Sequence, residues 1–394
     1  MSDFAATRSE EAPRGDALAA RRIDVAYTGA GIGGWVDRQA GRIMLLPAVL
    51  ILLAFAIFPL TVSAYLTTVR FALAPGGFKL TFIGAKNFER LTLGAQQYHF
   101  LGTFKPLGLL LWIVFAAVVL ALLYWLAAFL RSGKATAIGF IGRLITWILL
   151  AGLSLLTLAS IFAGGVPGTL VNTLFYVVVG VTIQFLLGLG LALLCARQIR
   201  GRNFFRVVFF IPLTVTPVGI AYTFRMLADM QKGPFAPLSR FLGFGEWAWA
   251  TDPWSARLIV LLGDTWQWTP FMFIVLLAAV ESRPHDQVEA ASIDGANGWQ
   301  TFRHITWPAI APIGATVVLI RLIEAFKIVD LPNVLTNGGP GLATESMTLH
   351  AFIAWRTQDL GGSAAIGYIL LFVATITCIS FFNFAVRPAR MHQG

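Results

Sequence analysis

The feature that most limits what this chain can fold into is a series of long apolar blocks with almost no charge in them. In hydrocarbon every backbone N–H and C=O must find its partner within the protein. Blocks of roughly 20 residues therefore read as spanning helices, and they are too long for the roughly ten-residue strands of a membrane barrel. Eight such blocks are read, at residues 43–69, 107–130, 144–164, 170–195, 207–227, 258–280, 309–329 and 364–386. Composition agrees, because 12% charged residues is only about half of what a water-facing surface ordinarily carries. No stretch between the blocks reaches the ~100 residues of an ordinary soluble domain, which excludes a large extramembrane catalytic domain. The expected fold class is all-α, a polytopic membrane protein of about eight transmembrane helices.

The net charge of +10 would point a soluble chain towards nucleic acid, but in a membrane protein basic residues mainly set orientation, and no nucleic-acid partner is expected. Arg8, Arg14, Arg21, Arg22, Arg38 and Arg42 precede the first block, and Arg131, Lys134 and Arg143 lie between the second and third. Arg197, Arg200, Arg202 and Arg206 lie between the fourth and fifth, and Arg387 and Arg390 follow the last. With eight spans all these positions share one side, so both termini are expected in the cytoplasm. The 70–106 segment is then extracytoplasmic, although Lys79, Lys86 and Arg90 in it run against the rule, and it is long enough to form a small cap. Residues 1–42 read as a retained cytoplasmic tail without the short apolar core of a signal peptide, and 387–394 as a second tail. The two cysteines, Cys195 and Cys378, cannot build a disulfide scaffold.

The connection 281–308 carries the most information. Val288, Ala291 and Ser292 recur at helical spacing, so a short helix could offer a small-residue face to a partner, with Glu289 and Asp294 as charged anchors at its rim. Gly295 can take the left-handed conformation that ends a helix, and Pro308 and Pro312 suit the first turn of the next.

This segment resembles the cytoplasmic loop of permease subunits in binding-protein-dependent ABC importers, on Glu289, Ala290 and Ala291, then Asp294, Gly295 and Ala296, then Phe302, Ile305 and Pro308. Trp307 stands where that family usually has leucine. Asn172-Thr173-Leu174, Ile211-Pro212 and Thr336-Asn337-Gly338-Gly339-Pro340 look like its carbohydrate-uptake branch, the permeases for maltose, glycerol phosphate and related solutes. The resemblance implies a type I ABC importer permease-like fold with residues 165–386 as the core permease domain and 107–164 as an inserted helical hairpin. It implies that the 281–308 loop docks a cytoplasmic ATPase dimer and that Asn337, Gly338, Gly339 and Pro340 face an extracytoplasmic solute-binding protein. It also implies a second permease subunit, with a heterodimer expected, in a bacterial inner membrane. No cofactor is expected on this chain, and ATP is used by the partner.

Polar residues inside spans are costly unless they face protein or water, so they mark candidate path positions. Arg321, Glu324, Lys327 and Asp330 recur every three residues and would keep to one broad helix face, either touching solute or pairing among themselves. Asp264, Trp266, Gln267 and Trp268 form a polar and aromatic cluster expected near the outer end of the sixth block, where tryptophan can stack on a sugar or simply anchor at the interface. Tyr222 and Arg225 in the fifth block are further candidates.

The sequence has no G-x-x-x-x-G-K-[ST] phosphate loop, no H-E-x-x-H and no G-x-S-x-G, so the chain is expected to be a non-catalytic subunit that draws energy from a partner. His99, His285, His304, His350 and His392 are scattered without ligand spacing, and no metal is expected. Two classes remain: an ATP-driven permease subunit for a sugar, polyol or related solute, and an ion-coupled secondary transporter in which Arg321, Glu324 and Asp330 would form a relay. Only the first accounts for the 281–308 loop. A phosphorylated polyol would call for extra cations such as Arg225, Arg321 or Lys327.

Overall fold

The computed structural model describes residues 44–131, 137–197, 201–243, 249–283 and 285–386. Arg8, Arg14, Arg21, Arg22, Arg38, Arg42, Lys134, Arg200, Arg387, Arg390 and His392, with the tails 1–42 and 387–394, lie outside the described residues. Two compact units are distinguished, Met1–Val62 and Ser63–Gly394. In the first, residues 44–62 are helical with every side chain exposed, and a π-helical turn covers Leu53–Ile57.

Among the described residues seven helices are long and apolar enough to cross a membrane: Met44–Thr67, Leu109–Arg131, Gly139–Phe162, Thr169–Cys195, Pro253–Glu281, Gly298–Ala325 and Leu360–Phe381. The expected fifth span is not one rod. It is two helices, Arg202–Thr214 and Pro217–Ala228, bent by 100°. The break lies at Val215 and Thr216, both extended, the conformation favoured for a residue before proline; Pro217 then takes the first position of a new helix, capped by Thr216 accepting from the N–H of Gly219 at 3.3 Å. The chain is mostly helical, with two small antiparallel pairs added. Strands β1 (Val69–Ala74) and β2 (Gly77–Phe82) form a hairpin within the expected outer segment, and Gly102–Thr103 pairs with Val166–Pro167.

The second pairing closes the 107–164 hairpin. It joins the chain just before Leu109–Arg131 to the chain just after Gly139–Phe162, and Val166 N–H also donates to Thr103 Oγ1 at 2.9 Å. The helices Leu109–Arg131 and Ala137–Thr157 pack on each other, and the first buries no side chain. That exposure of a wholly apolar surface is what a lipid-facing helix requires.

The core lies where Thr169–Cys195 packs along Pro253–Glu281, with Val177, Leu189, Met272, Phe273, Leu276, Ile310 and Val317 buried between them and Gly298–Ala325. Gly188 makes the close approach possible: a Cβ there would sit 2.5 Å from Met272 Cβ and 2.9 Å from the Phe273 nitrogen.

Candidate functional site

Each end of the helical core carries one of the expected contact segments, and a cavity lies between. The Pro253–Glu281 helix begins five residues earlier than the apolar pattern indicates, because Asp252 caps it, its carboxylate accepting from the Ser255 N–H and hydroxyl at 2.7 Å each. Those bonds, the hydroxyl first, hold the Asp252 carboxyl below the usual carboxylate range. The longer helix puts Asp264, Gln267 and Trp268 near its middle, not near the outer end as the sequence predicts.

There Arg321 is 1% exposed and fully engaged. It donates to Asp264 at 2.6 Å and to the Gln184 carbonyl at 2.8 Å, while the Gln184 amide donates to Asp264 at 2.7 Å. Its guanidinium carbon sits 4.5 Å from the centre of the Trp268 ring. Three helices are joined by one closed polar set, which is how a charge is tolerated away from water. Gln184 escapes the sequence reading, although a lone amide in the middle of an apolar block is itself the signal.

Beside this set lies a cavity of ≈ 180 Å³ lined by Asp264, Gln267, Trp268, Arg321, Glu324, Lys327 and Asp330 among others. The four charges at three-residue spacing do meet there, but not along one helix face. The helix stops at Ala325, and Asp330 opens a separate helix, Asp330–Thr336, so the chain turns around the cavity. Lys327 pairs with Glu324 at 2.7 Å. Three of the predicted path residues are elsewhere. Tyr222 is 61% exposed, Arg225 donates to the Val334 carbonyl at 3.1 Å, and Trp266 lines a separate apolar cavity of ≈ 690 Å³ with Phe224, Leu187 and Pro270.

At the Pro253 end, the turn Asn337-Gly338-Gly339-Pro340 is largely built into the protein. Asn337 takes φ 52° and Gly338 φ 85°, and the Gly339–Pro340 peptide is cis. Asn337 is exposed, Gly338 is buried, and Gly339 and Pro340 are half-buried. Asn172 donates to the Leu342 carbonyl at 2.7 Å and Arg257 to the Ala343 carbonyl at 2.7 Å, while Ser346 donates to the Ile328 carbonyl at 2.6 Å. Arg257, 3% exposed, is a second residue that the sequence reading missed.

The histidines are not all scattered in space. His99 and His350 stack with ring centres 3.9 Å apart and planes 18° from parallel, and His99 contacts Glu345 at 3.0 Å. His350 Nδ1 lies 3.3 Å from Thr169 Oγ1. Burial first, and His99 second, push the His350 pKa down to about 3. The three side chains could offer one ligand atom each, all within 4.8 Å of one another. The contacts the side chains make within the protein, His99 with Glu345 and His350 with Thr169, form a hydrogen-bonded stack.

At the opposite end, His285–Ile293 is the expected short helix. Gly295 ends it at φ 77°, with the N–H of Ala296 returning to the Ala291 carbonyl at 2.9 Å. The exposed face differs from the predicted one: Val288 and Ala291 turn partly inward, as does Ala296, whereas Glu289, Ala290, Ser292, Ile293, Asp294 and Gly295 face out. The next helix starts well before Pro308. Asn297 and Gln300 form a reciprocal capping box at 2.9 and 2.8 Å, and a π-helical turn, Phe302–Thr306, precedes the two prolines.

Comparison with known proteins follows the same division. Residues 184–392 match the family described as binding-protein-dependent transport system inner membrane component. The chain is 35% identical over 205 residues to the trehalose/maltose transport system permease protein MalF of Thermococcus litoralis, covering 52% of this chain and 69% of that protein. It is 29% identical over 225 residues to the probable starch degradation products transport system permease protein AmyD of Thermoanaerobacterium thermosulfurigenes, covering 57% and 76% respectively. The fold resembles that of a chain in a crystal structure of a bacterial ABC transporter involved in the import of the acidic polysaccharide alginate, with TM-score 0.63, 18% identity, and 89% of this chain and 97% of that one covered. The exposed 285–296 segment, the joined polar core and these matches lead to one assignment: the chain belongs to the inner membrane components of binding-protein-dependent transport systems, as a permease subunit of an ABC importer.

Proposed function

We propose that this permease carries an uncharged sugar or polyol, and that the cavity beside Arg321 lines its path. The charge balance of the cavity supports the reading. Its lining holds two cations, Arg321 and Lys327, against three carboxylates, Asp264, Glu324 and Asp330. Arg321 is bound to Asp264, Lys327 to Glu324, and Arg225 lies outside the cavity. A phosphorylated solute would need a surplus of positive charge there, and none is offered among the described lining residues. Gln267, Trp268 and the Glu324–Lys327 pair can instead meet hydroxyls and a sugar face. The trehalose/maltose permease name of a relative points the same way.

In this reading the exposed helix His285–Ile293, with Glu289, Ala290, Asp294 and Gly295 outward, docks a cytoplasmic ATPase dimer that hydrolyses the ATP. Ala291 and Ala296 support that surface from beneath. A second, different permease subunit completes the path, with Tyr222, Arg225 and Trp266 outside the solute cavity. A solute-binding protein docks on the opposite face, where Asn337 and Gly341 are exposed and Gly338, Gly339 and Pro340 shape the turn. Both termini and the 281–308 loop are cytoplasmic. The 107–164 hairpin is peripheral and the 165–386 core carries transport.

The test is ATP hydrolysis by the reconstituted importer with its binding protein, loaded in turn with a neutral disaccharide, a polyol and a phosphorylated polyol. The neutral solutes are expected to stimulate. Gln267→Ala should weaken that stimulation roughly tenfold, the effect of about 1.4 kcal/mol in solute contact. Stimulation by the phosphorylated polyol alone would overturn the reading.

A further inference from the structure

The β1–β2 hairpin, which the permease role does not use, separates its residues by chemistry onto two faces. Directly paired residues in an antiparallel ladder share a face, and successive residues alternate. The register Val69↔Phe82, Phe71↔Leu80 and Leu73↔Phe78 therefore makes one face entirely apolar, with Phe71 and Phe78 stacked at 5.7 Å. The other face holds Arg70↔Thr81, Ala72↔Lys79 and Ala74↔Gly77. Within the chain Val69 is buried and Phe71 half-buried, but Leu73, Phe78, Leu80 and Phe82 are 71, 66, 40 and 72% exposed. A lone two-stranded hairpin in water is marginal unless its apolar face is covered, and among the described residues nothing covers this one.

The base of the hairpin says where that cover lies. Asn87 donates to the carbonyls of Thr67 and Val69 at 2.8 and 3.1 Å, and a Cβ on Gly361 would sit 2.4 Å from the Val69 oxygen. The hairpin is thus pinned to the first turn of Leu360–Phe381, a membrane-crossing helix, and it follows the end of Met44–Thr67 after one residue. Arg90, one of the basic residues that oppose the orientation rule, is taken up by Asp359. Arg70 and Lys79 remain together on the polar face.

We propose that the β1–β2 hairpin is an interfacial lipid anchor, its apolar face set into the acyl–headgroup boundary of the leaflet at the Leu360 end, with Arg70 and Lys79 at the level of anionic headgroups. Continuity with the spanning surface and the placing of both cations opposite the apolar face select a bilayer as the occupant. The arrangement also accounts for positive charge on the side where loops normally lack it.

The experiment places the photo-crosslinker p-benzoyl-phenylalanine singly at Phe78, Phe82, Lys79 and Thr81 in the assembled importer, reconstituted in vesicles of phosphatidylethanolamine and phosphatidylglycerol. Illuminated chains are analysed by mass spectrometry. Because all four positions are exposed, each variant is expected to assemble. Lipid adducts should be roughly tenfold more abundant from Phe78 and Phe82 than from Lys79 and Thr81, as the two faces predict. Adducts to another subunit or to the binding protein at Phe78 and Phe82, or equal lipid yields from all four positions, would overturn the proposal.

Discussion

Two connections of this permease read alike in sequence, as glycine-bearing segments shaped to meet a partner, and they are built in opposite ways. The 337–346 turn is held by side chains from distant helices, with Asn172, Arg257 and Tyr176 bonded to it, and by the adjacent Thr336, which bonds to Thr344. The 285–296 segment is closed by backbone bonds within itself, and most of its described side chains face out. The first is interior structure that exposes little more than Asn337 and Gly341. The second is a surface. Glycine thus marks a turn in both cases, at Gly338 and Gly295, but only the partners of the surrounding carbonyls and side chains distinguish a turn built into the interior from an exposed one.

The difference can be broken from the interior side first. Asp264→Ala would leave Arg321 buried without its carboxylate, which costs about 3–5 kcal/mol. We expect the purified complex to lose most of its thermal resistance, and the double variant Asp264→Leu with Arg321→Met to recover much of it. A single variant with an unchanged melting point would mean that the pair does not hold the helices together. Next, Arg257→Met removes the donor to the Ala343 carbonyl and should cost about 2 kcal/mol, the range for a charged hydrogen bond, without changing which solute is carried. Limited proteolysis between residues 337 and 346 is the measurement, and faster cleavage is the expected result.

A smaller effect comes from pH. His350 is neutral in the folded protein down to about pH 3, whereas an unfolded histidine titrates near 6.5. Its contribution is therefore complete above about pH 6.5 and is lost progressively as the pH falls towards 3, at no more than about 1.4 kcal/mol per pH unit. His99, Glu345 and Thr169 are the groups that face it. Melting of the complex between pH 7 and 5 should show this slope, and His350→Phe should flatten it.

Much of this was legible in the residues. Long apolar blocks impose helices because lipid offers the backbone no other partner, and Gly295 ends its helix as its chemistry predicts. What failed depends on ends and on distance in three dimensions. The bend at Pro217 was masked by apolar side chains on both sides of it, although Thr216-Pro217 is a helix-start signal. Asn297 and Gln300 likewise mark the true start of the Gly298–Ala325 helix, ahead of Pro308. Arg321, Glu324, Lys327 and Asp330 meet at one cavity, but by a chain reversal that no periodicity encodes. Gln184, Asp264 and Arg321 are far apart in sequence, and so are His99 and His350, and it is the packing of separate helices that makes them neighbours.

The account turns on the 285–296 segment being a coupling surface and not a folding element, and Glu289→Lys in the reconstituted importer tests this most directly. Glu289 is exposed, so its replacement should alter stability by about 0–1 kcal/mol and leave membrane insertion intact. Solute-stimulated ATP hydrolysis, measured beside the amount of ATPase subunit retained on the complex, should fall roughly tenfold or more, as when a charged contact to a partner worth about 1.4 kcal/mol or more is lost. Full stimulation with normal retention of the ATPase subunit would contradict the account.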